Sequence, residues 1–129
     1  MPISVYVASR ASVPERGQMW RDIREQGIVN VTSTWIDEDG LGETADMGEL
    51  WWRISEEIAR SDKLVLYAES DDFPLKGALI EAGMALGMGK RVVVCLPGVP
   101  VFEPSFRPIG SWINHPLVTR IDDVLRAIQ

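Results

Sequence analysis

One cysteine, one histidine and a shortage of basic residues narrow the chemistry of this chain before any motif is read. Cys95 alone excludes an internal disulfide framework and a cysteine-built zinc site, and His115 alone removes a histidine-rich metal centre. With 13 Lys and Arg against 19 Asp and Glu, the net charge is −6. That is the wrong sign for nonspecific binding to a nucleic-acid polymer, which needs a basic face to neutralise phosphates. No apolar run approaches the roughly 20 residues of a membrane-crossing helix. The first residues carry neither a basic region nor a cleavage site, so the expectation is a cytoplasmic protein with no membrane partner. Chemistry then falls to carboxylates, hydroxyls, tyrosine and arginine.

The 129 residues suit one domain spanning the whole chain, long enough to bury a real core. Residues 3–9 read as a buried strand ending in the turn Ser9-Arg10-Ala11-Ser12. A helix follows over 14–26, with Pro14 in its first turn, Ser12 as its cap and Gly27 as its stop. The β-branched stretch 29–36 reads as a second strand, and 37–48 as a long polar loop. Leu50, Ile54 and Ile58 form an apolar stripe on a helix over 49–61. Strongly apolar strands over 63–69 and 91–97 bracket a helix that begins just after Pro74. A proline-rich segment reaches Pro116, a fifth strand covers 117–121, and Asp122 caps a last helix.

Strands alternating with helices give a doubly wound α/β fold, Rossmann-like or flavodoxin-like, with about five parallel strands in the order 2-1-3-4-5. Ligands of such sheets bind beyond the carboxyl ends of the strands, at the switch point. Here that lies between strands one and three, so the Ser9 turn and the 70–77 loop are the expected walls of a site.

One carboxylate, Glu81, stands in the helix near that crevice among small and apolar neighbours, Gly77-Ala-Leu-Ile-Glu81-Ala-Gly-Met-Ala-Leu-Gly-Met-Gly-Lys90. Taken by itself it is either a solvated helix residue or a group poised for chemistry. Together with Val5-Tyr6-Val7-Ala8-Ser9, the helix end Ala59-Arg-Ser-Asp62 and the strand at Val92, this run resembles the nucleoside 2-deoxyribosyltransferase family. The resemblance covers elements from about residue 3 to residue 98, and it includes related nucleoside monophosphate N-glycosidases.

The resemblance implies that Glu81 is a nucleophile that attacks the anomeric carbon of a nucleoside, and that Tyr6 orients it. A second base or water then takes the glycosyl group. It implies a small-molecule nucleoside or nucleotide substrate, no metal or organic cofactor, and a homodimer or larger homo-oligomer. Where the family has an aspartate six residues before the glutamate, this chain has Leu75, and Asp72 in the same loop is the candidate replacement. The helix-two aspartate of many members falls near Ile54, and the C-terminal asparagine has only Asn114 as a counterpart. The phosphate-seeking relatives point to Ser9, Arg10 and Ser12, with Asp71 and Gly77 as further substrate contacts.

Each of these residues has a plainer use. Ser12 caps a helix, and Asp71 and Asp72 stabilise turns through their own backbone. Trp51 or Trp52 can close over a nucleobase, yet adjacent helical residues diverge, and packing is the commoner use of the five tryptophans. Cys95 reads as a small buried hydrophobe, His115 as a turn residue, and Met84 and Met88 as core filler. Two other functions stay open: a nucleotide-binding protein without turnover, and an interaction module that docks a partner through its 99–116 segment.

Overall fold

Alternation along the strands decides the layers. The computed structural model describes residues 2–38, 46–100 and 110–129. Its sheet contains β1 (Ser4–Ala8), β2 (Asn30–Val31), β3 (Lys63–Tyr67), β4 (Arg91–Cys95) and β5 (Val118–Arg120), all parallel in the order β2-β1-β3-β4-β5. Tyr6, Ala8, Leu64, Leu66, Val92 and Val94 join one buried cluster with residues of α2 (Met47–Arg60) and α3 (Gly77–Gly87). The intervening Val5, Val7, Val65, Tyr67, Val93 and Cys95 face the other way, onto α1 (Pro14–Glu25) and α4 (Val124–Ala127). A strand that is buried on both faces needs no polar alternation, which is why β3 reads as an unbroken apolar run after Lys63.

Several local expectations are corrected. The second strand ends at Val31 because side chains replace the ladder beyond it. Ser33 Oγ accepts from the Val7 N–H at 3.1 Å, and Trp35 Nε1 donates to the Val7 carbonyl at 2.7 Å. With both β1 edge groups satisfied, the chain turns into a short 3-10 helix, Thr34–Asp37. Ser12 lies one residue too early to cap α1, since Val13 holds the cap position and no side chain fills it. Asp46 caps α2 through the Glu49 N–H, so that helix starts two residues before the expected boundary. Asp123 caps α4, while Asp122 accepts from the Leu96 N–H and from Arg120 Nε, both at 3.0 Å.

The Glu81 helix starts at Gly77 and not directly after Pro74. Phe73 and Leu75, two residues apart, both pack on the same core cluster, which demands extended and not helical backbone. A 3-10 turn at Ser70–Asp72 precedes them. The expected loop over 37–48 and the proline-rich segment lie partly outside the described residues. No helix among the described residues is long and apolar enough to cross a membrane.

Candidate active site

Tyr6 faces the α2 and α3 side of the sheet because it is an even position of β1, and it is fully buried there. A buried phenol needs a polar partner. Its hydroxyl donates to Glu81 Oε1 at 2.7 Å, joining the middle of β1 to the second turn of α3. Burial pushes the Glu81 carboxyl up to about 7; the Tyr6 hydrogen bond pulls against that shift, and the negative charge of Glu57 adds to it. Burial, reinforced by the Glu81 charge, raises Tyr6 far above the usual phenol range, so it remains a donor at any physiological pH. The result is a carboxylate poised near neutrality and oriented by a permanent proton donor.

Glu57 is the second acid of this centre. It is 2% exposed, and its carboxylate accepts from the Thr34 hydroxyl at 2.7 Å and from the Thr34 N–H at 3.2 Å. Arg53 stands one turn earlier on α2 and donates to Glu38 Oε1 at 2.8 Å. None of Glu57, Thr34, Arg53 or Glu38 was singled out from the sequence. Glu57 did leave a signal there: it lies three residues after Ile54 and beside Ile58, a charge on the apolar face of an amphipathic helix.

These groups open into a cavity of about 620 Å³ at the carboxyl ends of β1 and β3, a size typical of small-molecule sites. Tyr6, Glu81, Ser9, Arg10, Ser12 and Trp51 line it, as do Asp71, Asp72 and Gly77. Their engagements differ. Ser9 Oγ donates to the Tyr67 carbonyl at 2.9 Å, and Arg10 Nη1 to the Asp71 carbonyl at 3.2 Å, so the two walls are tied together. Asp72 is buried, with Oδ2 accepting from Arg16 Nη2 at 2.7 Å and from the Glu69 N–H at 2.8 Å. Its carboxylate is thereby committed to an ion pair and a turn. Gly77 begins α3, whose cap residue Lys76 supplies no side-chain bond to the first N–H groups. Trp51 is half-buried against the core, whereas Trp52 is 70% exposed and points away.

Leu75 and Ile54 also line the cavity. Asn114 does not; its amide donates to the Ser111 carbonyl at 3.3 Å. His115 Nδ1 accepts from the Leu117 N–H, a turn contact. The Cys95 thiol is buried, donates to the Asp122 carbonyl, and is pushed up to about 12, chiefly by burial. The Gly-Lys pair that closes α3 is architectural: Gly89 turns the chain at φ +75°, and Lys90 Nζ donates to the Ala59 and Ser61 carbonyls at the end of α2. Among the described residues no group of His, Cys, Asp and Glu converges in a way that would hold a metal ion.

No protein-family model matches the chain, and no curated protein matches its sequence. Among solved structures it is similar to a CMP N-glycosidase of Clostridium botulinum, BcmB, with a TM-score of 0.58 and 17% identity over 92% of this chain and 87% of that one. At that identity the likeness is one of fold.

Proposed function

We propose that this chain cleaves the N-glycosidic bond of a nucleoside or nucleotide, with Glu81 as nucleophile and water or a second base as acceptor. The observation that carries this reading is the 2.7 Å bond from a buried Tyr6 to a carboxylate facing a cavity of nucleoside size. The sequence resemblance to the nucleoside 2-deoxyribosyltransferases and the fold likeness to a CMP N-glycosidase support it.

In the first step a Glu81 oxygen bonds to C1′ as the C1′–N bond breaks, and the electron pair leaves with the base, which takes up a proton. In the second, water or an incoming base nitrogen attacks C1′, the ester bond breaks, and the attacking group loses its proton. Both transition states have oxocarbenium character, which an adjacent ionised carboxylate stabilises. Tyr6 holds the carboxylate in line. Glu57, a carboxylate lining the same cavity, is suited to accept a hydrogen bond from the base, whose proton comes from solvent. It stands one turn beyond Ile54 and so supplies a carboxylate on the helix-two wall, where Ile54 itself has none. Ser9, Arg10, Ser12 and the start of α3 at Gly77 suit the 5′ end of the sugar, and the Trp51 wall suits the base. The active species in this reading is a homodimer or larger homo-oligomer.

The test is chromatography of free base released from nucleosides and their 5′-monophosphates, with and without a second base. Wild type releases or exchanges base, and Glu81→Ala does not. Selective binding by wild type with no product across the panel would make the chain a nucleotide-binding protein instead.

A further inference from the structure

We infer that the cavity selects N-glycosides whose base already carries a positive charge, a ribosylated pyridinium or an N7-alkylated purine, over those of neutral bases. The inference rests on the N-glycosyl reading of Glu81 and adds to it the charge of the leaving group.

A neutral base must take up a proton as it departs, and among the described residues the walls hold no acid for that task. The Tyr6 hydroxyl donates to Glu81, that of Ser9 to the Tyr67 carbonyl, that of Thr34 to Glu57 and that of Tyr67 to Glu69. Asp72 and Glu38 accept from Arg16 and Arg53. Lys76 and Asp71 are exposed, at the end suited to the sugar. Alcohol and guanidinium protons are held too tightly to fill the gap.

Glu57 is a buried anion with no cation paired to it. It is 2% exposed and lines the cavity, yet both its bonds come from neutral donors of Thr34. Neither Glu57 nor Glu81 has a salt-bridge partner among the described residues; Arg53, one turn earlier, pairs with Glu38. A buried carboxylate is costly without a cation. Tethering α2 to the 3-10 turn is the plain alternative, but a tether needs only an acceptor, which a neutral amide oxygen provides without that cost. Each Glu57 oxygen takes one bond and keeps room for another.

The rest of the wall suits a flat cation. Trp35, held by its bond to the Val7 carbonyl, and Trp51 line the cavity beside Leu50 and Ile54, and indole faces attract a cationic ring. The Glu57 charge disfavours ionisation of Glu81, and a positive base next to both removes that opposition.

With such a base the reaction closes without an acid. A Glu81 oxygen bonds to C1′, the C1′–N bond breaks, and its electron pair neutralises the ring, so the base leaves uncharged. Water then attacks C1′, the ester bond breaks, and the proton of the attacking water passes to solvent.

Base release from nicotinamide riboside and N7-methylguanosine is compared with release from cytidine and guanosine, each rate divided by its uncatalysed rate. Calorimetry measures binding of 1-methylnicotinamide, a cation with no sugar to lose, against neutral nicotinamide. Wild type is expected to accelerate release from the two cations at least about tenfold more than from the neutral pair, and to bind 1-methylnicotinamide at least about tenfold more tightly than nicotinamide. Glu57→Gln narrows both margins. Equal acceleration of all four nucleosides overturns the inference and leaves the N-glycosyl reading standing. Equal binding of the two nicotinamides, binding of neither, or a Glu57→Gln protein that weakens charged and neutral ligands by one common factor overturns it as well. Preferential binding of the cation with no release from any nucleoside counts against the catalytic reading and supports selection by charge.

Discussion

Arg16 reaches from the first turn of α1 to Asp72, with Nη2 2.7 Å from Oδ2 and both side chains buried. Its guanidinium also lies 3.5 Å from Glu69 Oε1 and 5.3 Å from the centre of the Tyr67 ring. The pair joins α1 to the turn that leads into the Glu81 helix. Removing one buried partner strands the other charge, so Asp72→Ala is expected to lower unfolding stability by about 3–5 kcal/mol. Replacing both, Arg16→Met with Asp72→Leu, recovers much of that loss, because neither charge is left stranded. Urea unfolding of the two variants checks this. An Asp72→Ala protein that lost base release at undiminished stability would return Asp72 to the role of a working acid.

If Glu81 is the nucleophile of the proposed reaction, its ionisation is expected to set the acid limb of base release, with a midpoint near 7 in kcat/KM. Its two polar neighbours act in opposite senses. Tyr6 favours the ionised form, so Tyr6→Phe moves the limb to higher pH and slows the reaction roughly 10- to 100-fold, the worth of a hydrogen bond to a charged group. Glu57 disfavours the ionised form through its own charge, so Glu57→Gln moves the limb to lower pH. A pH–rate profile of each variant decides the matter. Shifts in the same direction would mean that one neighbour acts on Glu81 by distorting the site.

The strands and helices were legible in the sequence because each depends on local pattern, apolar runs for β3 and β4 and a stripe on α2, and the sheet order followed from the few topologies that right-handed crossovers allow. The boundaries that moved did so for contacts no local pattern encodes. Ser33 and Trp35 bond to Val7, 26 and 28 residues away, and so shorten β2. Asp72 is bound by Arg16 across 56 residues, which a reading of its own loop cannot reveal. The site divides in the same way. Glu81 and Tyr6 stood out through a motif and its resemblance. Glu57 needed only a closer look at the helix face it interrupts. Thr34, Arg53 and Glu38 enter the site through a turn whose geometry exists only once β2 has stopped short.

Burial of the Glu81 carboxyl makes stability depend on pH. Its folded pKa is raised from 4.5 to about 7, so the folded state binds a proton that the unfolded chain releases between those values. The stabilisation from that proton is fully present below about pH 4.5 and is lost as pH rises through 7, a swing of about 3 kcal/mol at 1.36 kcal/mol per unit. Glu81→Gln keeps an oxygen for the Tyr6 hydroxyl to bond and carries no charge at any pH. It is therefore expected to match wild type near pH 4.5 and to exceed its unfolding stability by up to about 3 kcal/mol at pH 8, while releasing no base. Urea unfolding of both proteins at the two pH values measures the gap. A gap that stays constant with pH would mean that the Glu81 carboxyl is solvated like an ordinary surface acid, and the case for it as a tuned nucleophile would fall with it.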